Sequence, residues 1–551
     1  MKLLRKGYLK KRVIIAFMFI IIFTAALQYC VRNILFEHMV IYNSTVRGIK
    51  RGIINKDERS KILIIPEGVK SIGTNAFIDN TDIEEVVLPE SLVSIEDYAF
   101  AGCTGLKRIK FPQGLKKIGS FSFFGCESLE DIVFPDSLEY LIGGSFAGCV
   151  NLKKVDFSES KTYIGLWTFK NCTSLKEVQL SQNSKEIQDE AFYNCTSLEK
   201  IYIPFNTQNI GSRAFMDCKN LKEVVLNRED ILLGAGAFIN TLWLSKLPTD
   251  DGYKYFFNIL MEYEGNEKKV TVKNGIKSIA GGAFFDSSTL EEVVLPESLT
   301  VIGESAFSCC QKLSYIDIPN NVELMGNNVF EACDSLERIV LPDKLRSLPQ
   351  YSFHQCKNLK EVILGSDLKD ILDNSFAECE NLKSINLNDK TRYIGEGAFE
   401  GCKKLTDIGD SSGVSFVGYN ALDDTPWYSS QEEVGGCKYV GNVLIECLDK
   451  KKTDIKLKEG TTMIGDLAFE GTKIYSLDFA KGIKIIGYRA FENCSNLSFA
   501  VIPDGVEYLG YDVFSSCKNL REIYVPESVK RVSSEVFGNG IFDKYKNIAV
   551  P

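Results

Sequence analysis

Ala99-Phe100-Ala101-Gly102-Cys103-Thr104-Gly105-Leu106-Lys107-Arg108-Ile109-Lys110-Phe111-Pro112 keeps returning along the chain, and the architecture follows from that recurrence. Its phenylalanine recurs every 23 residues at Phe77, Phe100, Phe123, Phe146, Phe169, Phe192, Phe215 and Phe238. The series resumes from Phe284 to Phe399, with Leu422 in the next register, and again at Phe469, Phe491, Phe514 and Phe537, making nineteen copies. Three places after the Phe stands Cys, as in Cys103, Cys126, Cys310 and Cys333. Six after stands Leu, as in Leu106 and Leu336. Nine and eleven after stand large apolar residues, and Pro often follows, as in Pro112 and Pro342. Self-similarity at such a period means stacked coils, and it overrides the three or four globular domains that 551 residues would otherwise suggest.

One copy shows why. In Leu106-Lys107-Arg108-Ile109-Lys110-Phe111 the Ile and Phe are two apart and share one face of a strand, while Arg108 and Lys110 share the other. Pro112 ends the strand because it has no N–H to give a ladder. Leu115 and Ile118 make a second inward-facing stretch, Gly119 is expected to supply a turn with unusual backbone angles, and a short turn around Ser122-Phe123 brings the chain back. A single unit cannot bury its own apolar side. Stacked neighbours bury a continuous interior and pair their strands in parallel.

The run Ala-Phe-x-x-Cys-x-x-Leu-x-x-Ile-x-Leu-Pro resembles the BspA-like class of leucine-rich repeats, from about Ile62 to Phe537. The resemblance implies a repeat solenoid at a cell surface, with a parallel β-sheet stack on one side and short strands or turns opposite. It further implies adhesion or protein binding, with no catalytic residues to carry over. The chain lacks the Asn ladder of commoner leucine-rich repeats and has Cys at the turn instead.

The composition is that of an ordinary folded protein, 45% hydrophobic and 25% charged. A net charge of −9 argues against nucleic acid as a partner. His38 and His354 are the only histidines, which weighs against His-based catalysis and His-rich metal sites. Lys2, Arg5, Lys6, Lys10, Lys11 and Arg12 precede an apolar run, Val13–Val31, long enough to cross a bilayer. The expected arrangement is a cytoplasmic basic segment at 1–12, a transmembrane signal-anchor at 13–31 and a juxtamembrane segment at 32–61. The repeats, outside the cell, follow in three blocks at 62–238, 276–422 and 461–537, separated by hairpin islands at 239–275 and 423–460, with a C-terminal cap at 538–551. The alternative is a secreted protein, with cleavage near Thr24-Ala25-Ala26.

The islands resemble each other. Thr241-Leu242-Trp243 matches Thr425-Pro426-Trp427, and Tyr255-Phe256-Phe257-Asn258 matches Tyr439-Val440-Gly441-Asn442, where Gly441-Asn442 is a two-residue hairpin signal. Both tryptophans are read as core plugs. Thirteen of the seventeen cysteines lie on the period and are read as buried thiols. No Cys-x-x-Cys occurs, and no metal or cofactor is expected. Cys437 and Cys447 are the best candidates for a disulfide, although a turn at Gly441-Asn442 would not set them directly opposite each other. Asn171 and Asn194 match a glycosylation acceptor, and a turn role is the preferred reading.

The outward strand face is the functional candidate. Eight after the Phe the column alternates in charge (Arg108, Asp131, Lys154, Glu177, Lys200, Glu223), which suits parallel stacking. Ten after the Phe it carries exposed apolar residues, of which Tyr202, Val225, Val340 and Ile363 are the candidate partner-binding residues. The expected function is non-catalytic adhesion or binding of extracellular or cell-surface proteins through an elongated solenoid. The alternative is a structural spacer with no specific ligand.

Overall fold

The computed structural model describes residues 39–49 and 61–530, apart from 158, 227–230, 477–478 and 480–481. The proposed transmembrane segment, Phe537 and the C-terminal cap lie outside the described residues. No helix among the described residues is long and apolar enough to cross a membrane.

Each coil contributes two short strands and one wide turn. The strand Arg108–Lys110 pairs in parallel with Glu85–Val87, and Lys154–Asp156 lies in register between Asp131–Val133 and Glu177–Gln179. This first column alternates as the repeat predicts, since Ile132 and Val155 are buried and Asp131 and Lys154 are exposed. The second inward-facing stretch is also a strand column, in which Ser71–Ile72, Ser94–Ile95, Lys117–Ile118 and Tyr140–Leu141 pair in sequence. The Phe turn closes the coil, and its backbone bonds coil to coil as well: the Phe77 N–H donates to the Ala99 carbonyl and the Phe100 N–H to the Ser122 carbonyl.

The phenylalanines line up inside. Ring centroids from Phe77 to Phe238 follow one another at 5.0–5.8 Å, close to parallel. A second file runs from Phe284 to Phe399 and a third from Phe469 to Phe514.

The corners are made differently from the expectation. Gly119 does not take a left-handed φ. It is glycine because the neighbouring coil passes so close that a Cβ would stand 2.7 Å from the Asp97 backbone nitrogen. The left-handed residues lie two before and two after the Phe, as at Phe121 (φ 51°) and Asn171 (φ 63°). Asn is tolerated in that region, and Asn194 donates to the Asn171 side chain at 3.0 Å. These two asparagines are therefore turn residues.

The chain forms two compact units, Met1–Leu247 and Pro248–Pro551. The division falls inside the first island. Each block of coils opens with an antiparallel hairpin whose second strand becomes the first rung of the second column. These hairpins are Met39–Tyr42 with Thr45–Ile49, Tyr253–Phe256 with Ile259–Tyr263, and Cys437–Val440 with Val443–Cys447. The first of them lies in the segment expected to be merely juxtamembrane. The last coil before each island ends in a helical turn, Leu242–Ser245 or Pro426–Ser430, capped by the Thr241 or Thr425 hydroxyl. Trp243 and Trp427 are buried there, and their backbone N–H groups donate to the Leu221 and Leu405 carbonyls.

Candidate functional site

The periodic cysteines are buried, and they do more than fill space. Each thiol donates to the carbonyl of the Phe one coil earlier, Cys103 to Phe77 at 3.2 Å, Cys126 to Phe100 at 3.3 Å and Cys356 to Phe330 at 3.0 Å. Burial pushes Cys103, Cys149, Cys310, Cys356 and Cys402 up to about 12, so these thiols stay protonated and unreactive. Among the described residues no cluster of three or more His, Cys, Asp or Glu could hold a metal ion.

The outward face of the first column is dominated by charge ladders. In the first unit Glu84 bridges Lys61 (2.5 Å) and Lys107 (2.8 Å), Arg108 pairs with Glu85 (2.9 Å) and Lys153 with Glu130 (2.8 Å). Hydrogen bonds from Lys107 and Lys61 hold the Glu84 carboxyl down at about 2. In the second unit Lys268 pairs with Glu291 and Arg338 with Glu361. An open depression above this face in the first unit is lined by residues that include Glu84, Lys107, Arg108, Glu130 and Asp131, none of which were candidate binding residues.

The four candidates stand two and two. Tyr202 and Val225 are register neighbours in the first unit, with Tyr202 48% exposed and Val225 half-buried. Val340 and Ile363 are register neighbours in the second unit, 36% and 40% exposed.

A second surface escaped the sequence reading. On the turn side of the first unit Tyr98 stacks on Phe121 at 5.4 Å, Phe124 meets Phe121 edge-on at 5.9 Å, and Trp167 lies 6.3 Å from Phe121. Lys170 reaches over the rings of Trp167 (5.6 Å) and Tyr193 (5.0 Å) and pairs with Glu190. Tyr98, Phe121 and Trp167 occupy a left-handed corner, where other coils have Asn75 or Gly144 and where a bulky side chain is an outlier. Aromatic residues two before the repeat Phe were the signal.

The profile of the BspA type leucine-rich repeat region, six copies long, matches residues 28–153, 143–262, 254–379, 323–432 and 447–544. The chain belongs to this family. Among solved structures, this BspA-type chain is similar to a leucine-rich cell surface protein from Faecalibacterium prausnitzii, at 24% identity over 59% of this chain and 92% of that one, TM-score 0.32. It is also similar to leucine-rich repeat proteins from Eubacterium ventriosum, at 20% identity over 71% and 90%, TM-score 0.31, and from Bacteroides ovatus, at 22% identity over 89% and 92%, TM-score 0.25. At such TM-scores the likeness carries no functional argument. No match was found among curated proteins.

Proposed function

We propose that this BspA-type repeat protein is a non-catalytic binding protein, displayed outside the cell, that engages extracellular or cell-surface proteins through the outward face of its first strand column. One observation carries the reading. The charged columns of that face pair among themselves, whereas Tyr202, Val340 and Ile363 present apolar surface beside them. Exposed apolar residues on a rigid sheet are what a protein partner uses as anchors. The run Val13–Val31 holds the chain in the membrane with its N-terminus inside, and N-terminal sequencing of the mature protein distinguishes this from cleavage.

The test is a binding screen of the full chain against extracellular-matrix and cell-surface proteins, repeated with Tyr202→Lys and Ile363→Lys. Loss of an anchor is expected to weaken at least one interaction by about tenfold, with the melting temperature unchanged. If every interaction survives both changes, the sheet face is not the contact surface and the spacer reading takes its place. The turn-side aromatics favour a second contact surface in the first unit. Tyr98→Lys and Phe124→Lys form the parallel arm, and a loss confined to that arm moves the site there.

A further inference from the structure

Cys437 and Cys447 stand apart from the thiol ladder. They are directly paired across the hairpin Cys437–Val440 with Val443–Cys447, both wholly buried and both free. Counting outward from Gly441-Asn442 puts them one residue out of step. A bulge between Lys438 and Tyr439 absorbs the extra residue and restores the register. Neither backbone N–H bonds across the hairpin at this pair: Cys437 donates to Val434, and Cys447 to Ala468. That makes it a non-hydrogen-bonded pair, the class whose Cα atoms approach to about 4.5 Å, within the roughly 4.4–6.8 Å that a disulfide spans.

The first island shows what this position does with other side chains. Its hairpin has the same bulge, and the equivalent residues Tyr253 and Tyr263 are paired, their rings 4.9 Å apart. The position forces its two side chains together, and the second island fills it with two thiols. The ladder cysteines differ, because they repeat along parallel rungs and each thiol is aimed at a Phe carbonyl.

We infer that Cys437 and Cys447 form a site of reversible dithiol–disulfide oxidation that staples the hairpin opening the third block. Cys447 is the attacking group, because the neighbouring Cys437 thiol and, more weakly, the Lys450 ammonium favour its thiolate, whereas contact with Cys447 and burial hold the Cys437 thiol up. With a glutathione-type disulfide as oxidant, the Cys447 thiolate attacks one of its sulfurs and one glutathione leaves. The Cys437 sulfur then gives up its proton and attacks Cys447, and the second glutathione leaves. Two protein thiols lose two electrons, and one small disulfide becomes two thiols. Both thiols are wholly buried, so the exchange requires the adjoining exposed turn Glu432–Gly435, which folds back through Gly435 and Gly436, both with left-handed φ, to open.

Trypsin separates the two residues, because Lys438 lies between them and Lys404 and Lys450 bound their peptides. The full chain is reduced, incubated with oxidised glutathione, alkylated in denaturant and digested without reductant. The expected product is peptide 405–438 joined to 439–450, two hydrogens lighter than the sum, and about tenfold more abundant than any link between ladder cysteines. Oxidation is expected to raise the melting temperature by a few degrees, and the Cys437→Ser/Cys447→Ser variant to lose that rise. Recovery of both residues as alkylated thiols, or only as glutathione adducts, overturns the inference, and this readout needs no variant to fold.

Discussion

A thiol is the one hydrogen-bond donor that an interior of phenylalanine and leucine accepts at little desolvation cost. The Phe100 carbonyl receives both the Cys103 N–H within its own coil and the Cys126 thiol from the next, so removing the sulfur leaves the oxygen satisfied. Cys126→Ala is therefore expected to cost only about 1 kcal/mol. Phe146→Ala, which empties a place in the file between Phe123 and Phe169, is expected to cost about 3–5 kcal/mol. Urea unfolding of the two variants checks the contrast. A second outcome concerns Cys309, which alone among the described cysteines is not fully buried; it should be the first of them alkylated in the native protein, as peptide mapping would show. The alignment of the phenylalanines and the burial of the cysteines were legible in the period itself. The thiol-to-carbonyl bond was not, because its donor and acceptor belong to different coils and their vertical offset depends on coil geometry.

Most strands here are two or three residues long and owe their stability to neighbours, so their surface charges act as columns. The Glu84 carboxyl is depressed to about 2 by Lys107 and Lys61. A carboxyl whose folded pKa lies below its unfolded one contributes stability that is present above the unfolded value and lost as pH falls through the folded one. The stability difference between the wild type and Glu84→Gln should hold at neutral pH and shrink between about pH 5 and pH 2, which thermal melts across that range would follow. Alternation of charge along the column was readable from the repeat, as was the hairpin at Gly441-Asn442. The pairing of Cys437 with Cys447 was not, because a single bulge shifts every residue beyond it and leaves no mark in the sequence. Gly119 shows the same limit, since its need is set by Asp97 of another coil and not by its own φ.

At the scale of the molecule, the described coils inside each unit bond to their neighbours, and the number of coils is a free variable. Deleting residues 111–133 joins Lys110 to Phe134 and removes one whole period, which should leave Phe100 stacked on Phe146 and the circular dichroism spectrum native in shape. Deleting 111–122 breaks the register and should abolish cooperative unfolding of the first unit. The breaks in the period after Phe238 and Leu422 were legible, and a hairpin follows each of them. The opening hairpin Met39–Tyr42 with Thr45–Ile49 was missed because it precedes the first full repeat, where no periodicity points to it.

The tryptophans happen to be placed as local optical probes. Trp167 lies on an exposed corner under Lys170, Trp243 is sealed against Phe238 at 5.0 Å, and Trp427 is buried at the end of the coil that carries Leu422. With Trp167 and Trp243 replaced by Phe, the emission of the remaining indole reports on the second unit alone, so a fluorimeter can follow that part of the chain melting without any added dye.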